Sequence, residues 1–119
     1  MSIVINRFFS VPCSETELNL NLKKIKKYCY GLKKTDPGRN ISNRDGWQST
    51  QLFFPNPLTG LADEICKVGS KIFYALNGSE KYTIYLKNMW ININPTGGSN
   101  IVHLHPRSFF SGVFYVQTP

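Results

Sequence analysis

The stretch from Asn100 to Pro119, NIVHLHPRSFFSGVFYVQTP, decides the fold that the sequence predicts. Ile101 to His105 and Phe109 to Val116 are rich in β-branched and aromatic residues and read as strands. A corner that begins at Pro106 separates the two, since proline cannot donate to a strand ladder. We therefore predict two antiparallel strands in this part of the chain.

The preceding segment also alternates with a period of two. In Lys81 to Asn94, KYTIYLKNMWININ, the apolar residues Ile84 and Leu86 share one parity and Ile91 and Ile93 share the other. A change of parity of this kind predicts a bulge or a strand break near residues 87–88. The following PTGGS reads as a turn.

Two amphipathic helices are predicted before these strands. The first would be capped by Ser14 or Thr16 and would end between Gly31 and Gly38. Its buried stripe follows three- and four-residue steps: Leu18, Leu22, Ile25, Cys29 and Leu32. The second follows Asn56-Pro57, and its inner face comprises Leu58, Leu61, Ile65, Val68, Ile72 and Leu76.

The remaining segments are an opening strand and a connecting loop. Ile3 to Phe9 is predicted to be a short strand, and Gly38 to Gln51 is polar without periodicity. The fold class is therefore α+β, with N-terminal helices packed on a sheet or partial barrel. The length of 119 residues predicts one domain over 1–119.

Composition narrows the class of protein. With 41% hydrophobic and 18% charged residues, the chain has the balance of a globular protein. We expect no membrane span and no signal peptide, and hence a cytoplasmic location. The three cysteines, Cys13, Cys29 and Cys66, lack a CxxC pair and are expected to be reduced and mostly buried.

The net charge of +7 raises the question of an anionic partner. One interpretation is that the lysines form a patch that binds nucleic acid or another anionic surface. The other is that they form the solvated face of the first helix. We favour the solvated helix face, because the aromatic residues do not interleave with the lysines as a platform for stacking bases requires. Nucleic acid is therefore not the expected partner. Much of the charge lies in one run: Lys23, Lys24, Lys26, Lys27, Lys33 and Lys34.

His103 and His105 are the candidate metal ligands. In a strand, residues i and i+2 face the same side, so the imidazoles would lie together with Leu104 turned into the core. Imidazole binds iron, zinc, copper and nickel well. The alternative is two unrelated polar residues at a strand end. Non-haem iron needs two histidines and one carboxylate, and no acidic residue follows Glu80.

Four segments together resemble a family of 2-oxoglutarate- and Fe(II)-dependent oxygenases of marine bacteria and cyanophages. The segments are SNRDGWQS at 42–49, MWININ at 89–94, HLHPRS at 103–108 and SGVFYV at 111–116. The opening RFFSVP also fits the family, so the resemblance covers nearly the whole chain. Asp45 stands where the family usually has glycine, and Phe114 where it often has tyrosine.

The resemblance implies a fold, a chemistry and site residues. The fold is a double-stranded β-helix of the jelly-roll or cupin type behind N-terminal helices. The chemistry is hydroxylation of an unknown substrate with Fe(II) as cofactor and 2-oxoglutarate as co-substrate. His103 matches the first iron ligand, and His105 stands where the wider superfamily places an aspartate. Tyr115 matches a position that hydrogen-bonds the distal carboxylate of 2-oxoglutarate, or else it is a packed aromatic residue.

The resemblance also implies that some residues of the expected site are missing from this chain. The family continues past the QTP segment, where a distal histidine and a basic anchor for 2-oxoglutarate are expected. The site is then incomplete on this chain, and a homo-oligomer or a second chain would complete the barrel. The alternative is a non-catalytic structural or binding protein of a phage particle derived from the fold. Trp47 and Gln48 lie either over the site or in an anchored loop; we favour the anchor.

Overall fold

The computed structural model describes residue 3 and the ranges 11–77, 79 and 81–118. The elements follow the order α1 (Leu22–Lys33), β1 (Asn43–Arg44), β2 (Trp47–Gln48), α2 (Thr59–Asn77), β3 (Asn92–Ile93) and β4 (Ser99–Asn100). The fold class is α+β, as predicted, with two helices and two small antiparallel ladders. The predicted opening strand at Ile3 to Phe9 lies outside the described residues, apart from Ile3.

Helix α1 begins later than the sequence predicted. Its N-cap is Asn21, whose side-chain oxygen accepts a hydrogen bond from the Lys24 N–H at 3.0 Å. The predicted caps Ser14 and Thr16 were therefore wrong, because Asn21 satisfies the free N–H of the first turn. The predicted stripe is confirmed at its centre, where Ile25 and Cys29 are buried.

Helix α2 is buried mainly at its beginning. Leu58 and Leu61 are only 2% and 4% exposed, whereas Leu76 at the other end is 49% exposed. The predicted start is confirmed: the Asn56 carboxamide oxygen accepts the Leu58 N–H at 2.6 Å, and the Thr59 hydroxyl donates to the Asn56 carbonyl. The helix thus packs by its first turns on the rest of the domain.

One apolar cluster joins the helices to the chain segments that follow. Its buried members come from α1, from the segment before α2 and from the segment before β3: Ile25, Cys29, Leu52, Leu58 and Ile91. Met89 and Ile93 pack on the same cluster, so alternate residues face inward from 89 to 93. Phe114 and Val116, near the C-terminal end of the described residues, also pack on this cluster. The predicted inward parity at Ile91 and Ile93 is therefore confirmed.

The strands are far shorter than predicted. Of the segment Lys81 to Asn94, only Asn92–Ile93 forms a ladder, and neither Ile101 to His105 nor Phe109 to Val116 is a strand. Alternation in the sequence does not by itself supply a paired neighbour, so these segments lie outside both ladders. The described residues form two two-stranded ladders, β1 with β4 and β2 with β3. The jelly roll stays a prediction.

Candidate functional site

The polar loop at residues 42–49, SNRDGWQS, is the most buried polar part of the described chain. We call these eight residues the polar clasp. The sequence pattern predicted a loop without periodicity here, yet the structure places both β1 and β2 inside it. The buried polar residues are Ser42, Asn43, Gln48 and Ser49.

Asn43 shapes the turn within the clasp. Its Oδ1 accepts the Ile41 N–H at 3.0 Å, and its Nδ2 donates to the Gly46 carbonyl at 2.9 Å. The turn places Asp45 at a φ of 55°. This left-handed conformation favours glycine, although asparagine and aspartate tolerate it. Gly46 comes so close to Asn94 that an added Cβ would overlap its Oδ1 atom.

The clasp holds the two segments that lead to the histidines. On one side Trp47 pairs with Ile93 and Gln48 with Asn92 in the β2–β3 ladder. Ser49 extends this contact, because its Oγ accepts the Ile91 N–H at 3.0 Å. The sequence motif therefore has a structural role that periodicity did not reveal: it supplies hydrogen-bond partners across long separations in the chain.

The other side of the clasp leads directly to His103. Asn43 pairs with Asn100 and Arg44 with Ser99 in the β1–β4 ladder. One residue further, the Ile101 N–H donates to the Ser42 carbonyl at 2.8 Å. The last backbone bond from the clasp thus lies two residues before His103.

Trp47 anchors the clasp to the turn after α1. Its indole Nε1–H donates to the Asp36 carbonyl at 3.2 Å. The Asp36 carboxylate accepts the Gly38 N–H, the Thr50 N–H and the Thr50 hydroxyl at 2.8 to 2.9 Å. Partial burial alone would raise the pKa of the Asp36 carboxyl, but these three hydrogen bonds outweigh it and hold the pKa below its usual value. The anchor role that we favoured for Trp47 is confirmed.

The structure brings the two histidines together. Their ring centroids lie 4.7 Å apart with the planes at 75°. The His103 Nδ1 lies 2.7 Å from the Ile101 carbonyl oxygen, which can only accept. A hydrogen bond to this oxygen requires a proton on Nδ1, which leaves Nε2 as the ring nitrogen that could bind a metal. His105 stacks on Trp90, with centroids 5.6 Å apart and an interplanar angle of 27°.

Two expectations concern residues near the histidine pair: the one for Leu104 was wrong, and the one for Tyr115 remains untested. Leu104 is 87% exposed rather than turned into the core, because the segment is not paired in a sheet. Tyr115 is 70% exposed, and its hydroxyl forms no hydrogen bond with the described residues. Its neighbours Phe114 and Val116 face the core instead. Within the described residues, neither a ring contact nor a hydrogen bond joins Tyr115 to either histidine.

The two imidazoles fit a metal ion only in part. Two neutral nitrogen donors on adjacent rings suit Fe(II) or another borderline metal. In the described part of the chain, however, no group of three or more histidine, cysteine, aspartate or glutamate side chains comes together. The pair alone therefore falls one ligand short of the two-histidine, one-carboxylate set that holds non-haem iron.

A second incomplete feature is the side chain of Gln48. It is 5% exposed, and its Oε1 is the buried side-chain atom without a hydrogen-bond partner among the described residues. A buried carbonyl oxygen without a donor destabilises the fold by about 1–3 kcal/mol. This acceptor lies on the face of the β2–β3 ladder opposite the one on which Trp47 and Ile93 pack.

The chain was compared with known families, proteins and structures. No helix in the described ranges has the length and apolar character needed to cross a membrane. No curated protein and no solved structure matches the chain. Residues 88–119 match the protein family described as “Putative 2OG-Fe(II) oxygenase”; this region begins just before β3 and contains both histidines and Tyr115.

Proposed function

We propose that this chain supplies the two-histidine part of a 2-oxoglutarate- and Fe(II)-dependent oxygenase site that hydroxylates an unidentified substrate. The observation that carries the proposal is the contact between the His103 and His105 rings, inside the region that matches the oxygenase family. His103 and His105 are the metal ligands, and Tyr115 is the proposed contact of the 2-oxoglutarate carboxylate.

The chain's own residues prepare the first ligand. The Ile101 carbonyl fixes the tautomer of His103, and the clasp fixes Ile101 through the Ser42 carbonyl. Outer hydrogen bonds of this kind orient a histidine ligand and raise its basicity. When bound, Fe(II) with 2-oxoglutarate would activate O2, which is the oxidant for the hydroxylation. The polar clasp therefore serves the site without touching the metal position.

A second chain completes the site in this proposal. Three observations support it. The described residues bring no third ligand to the pair. The segment around the pair leaves apolar side chains in solvent, with Val102 fully exposed and Val113 76% exposed. The buried Gln48 Oε1 lacks a donor. An unpaired extended segment with apolar side chains is a template for pairing with another chain.

The experiment is an anaerobic titration of the full chain with Fe(II), with and without 2-oxoglutarate. We expect stoichiometric binding that 2-oxoglutarate strengthens and that His103→Ala abolishes. Leu104→Ala is the matched control, since Leu104 lies between the ligands and is 87% exposed. Sedimentation of the same samples shows whether the iron-binding species is an oligomer.

The second candidate function is a non-catalytic binding or structural protein that keeps part of the oxygenase fold. The lack of a third ligand among the described residues favours it. Iron binding no stronger than that of His103→Ala would contradict the oxygenase proposal for this chain alone and support this alternative. In either case we place the protein in the cytoplasm, that of the host if a phage encodes it.

A further inference from the structure

Helix α1 presents a basic surface that the oxygenase proposal does not use. Its lysines are exposed, and none of them forms an ion pair within the described residues. The ion pair that the described chain does contain, Lys67 with Glu64, lies on α2. The positive charge of α1 is therefore not neutralised by its own protein.

An aromatic side chain lies in the middle of these lysines. Tyr30 is 47% exposed, although it belongs to the largely polar side of the helix. Residues three and four positions apart are neighbours on a helix surface. The sequence pattern did not predict this arrangement. The lysines were considered as one run along the chain, and not as residues that surround Tyr30 on the helix surface. The lysines at these distances from Tyr30 are Lys26, Lys27, Lys33 and Lys34.

A cavity of about 360 Å³ opens beside Tyr30. Tyr30 and Lys33 line it from α1, and Trp47 lines it from the clasp. Asp45 and Asn94 add a carboxylate and an amide to the wall. The volume lies within the range of small-ligand pockets, about 300–1,000 Å³. Two aromatic side chains, polar groups and a lysine thus meet in one hollow at the edge of the basic surface.

We propose that this surface binds single-stranded nucleic acid, with one base in the Tyr30–Trp47 cavity and the adjoining phosphates on the lysines of α1. Aromatic side chains stack on bases of any sequence, and a positive groove follows the phosphates. The Asp45 carboxylate can accept a hydrogen bond from an N–H group of the base, such as N3–H of thymine. This inference is independent of the proposed iron site.

Other anionic partners fit these observations less well. A membrane surface needs an apolar helix face to insert, and the apolar face of α1 is buried through Ile25 and Cys29. A duplex keeps its bases stacked inside, so no base would reach the cavity. An acidic protein segment would form ion pairs with the lysines but would leave the aromatic side chains of the cavity without a planar group to stack on them.

The test is fluorescence anisotropy of a short labelled oligodeoxythymidylate with the full chain at low salt. We expect Tyr30→Leu to weaken binding about tenfold, through the loss of one stacked base. Tyr85→Leu is the matched control, because Tyr85 is an exposed tyrosine that does not line the cavity. Lys26→Gln and Lys33→Gln should each lower the slope of log K against log salt by roughly 0.7, whereas Lys71→Gln on α2 should not.

A second readout reports the cavity itself. Stacking of the base should quench tryptophan emission, and Trp47→Phe should remove that quenching. Equal affinity of Tyr30→Leu and wild type would overturn the proposal. Displacement of the oligonucleotide by polyglutamate at equal charge concentration would also overturn it and would assign the surface to acidic proteins. Equal binding of a duplex would overturn it as well.

Discussion

Ser49 and Ile91 form a reciprocal pair of hydrogen bonds across 42 residues of sequence. The Ser49 N–H donates to the Ile91 carbonyl at 2.9 Å, and the Ile91 N–H donates to the Ser49 hydroxyl oxygen at 3.0 Å. The hydroxyl itself donates a hydrogen bond to the Thr50 carbonyl at 2.7 Å. Ser49 is fully buried, so water cannot replace any of these bonds. The serine therefore acts as a side-chain substitute for one rung of a β-ladder.

Ser49→Ala should lower the free energy of unfolding by about 1–3 kcal/mol, because the buried Ile91 N–H would lose its acceptor. Urea denaturation followed by circular dichroism measures the change. Ser111→Ala is the matched control, since Ser111 is exposed and forms no hydrogen bond within the described residues. A Ser49→Ala variant as stable as the control would show that Ile91 finds another acceptor.

Gly46→Ala should destabilise the protein by about 1–3 kcal/mol, the usual effect of overpacking. The added methyl group would overlap Asn94 Oδ1, and Asn94 is itself held by its bond to Asn100 Oδ1 at 3.0 Å. Gly60→Ala on α2 is the contrasting control, because nothing lies within 4 Å of its new Cβ. That variant should be stabilised by about 0.5–1 kcal/mol, since alanine favours a helix over glycine. Thermal unfolding of both variants measures the difference.

Asp45→Gly should leave stability unchanged or raise it slightly, whereas Asp45→Val should lower it by about 1–2 kcal/mol. The reason is the φ of 55°, which glycine adopts freely and a β-branched residue does not. Midpoints of thermal unfolding for the three proteins give the order. A valine variant as stable as the wild type would contradict the left-handed turn.

Asp36 should make stability depend on pH in the acid range. The carboxyl has a pKa below its usual value in the folded protein. Its stabilising effect is therefore complete above about pH 4, the unfolded value, and is lost as the pH falls through the folded value. Asp36→Asn should be less stable than wild type at neutral pH, and the two should converge below the folded pKa.

Urea midpoints measured from neutral pH into the acid range check this dependence. Asp63→Asn provides the comparison, because Asp63 is exposed on α2 and accepts no hydrogen bond within the described residues. Parallel curves for wild type and Asp36→Asn would mean that Gly38 and Thr50 are not held through this carboxylate.

The helices could be predicted because their signal is local. Ile25 and Cys29 lie one turn apart and are both buried, as the periodicity indicated. The start of α1 could not be placed so well, since several polar residues precede it and only geometry selects Asn21 as the cap. Local patterns thus fix which face of a helix is buried more reliably than where the helix begins.

The strands and the site were predictable only in part. Alternation at Ile91 and Ile93 gave the buried side correctly, yet burial parity does not say whether a neighbouring strand is present. The clasp had no periodicity at all, because its order comes from side-chain hydrogen bonds made by Asn43 and Ser49. Spacing predicted the approach of His103 and His105, and the stacking on Trp90 carried no signal in the sequence.

The bond from the Ile101 N–H to the Ser42 carbonyl has a consequence for the order of folding. It closes a long stretch of chain, and contacts between distant residues form slowly because the loop must first lose its entropy. During synthesis the ribosome must release residue 101 before the clasp can close on its second side. The two helices can form earlier from local contacts. The segment that carries His103 therefore joins the clasp among the last events of folding.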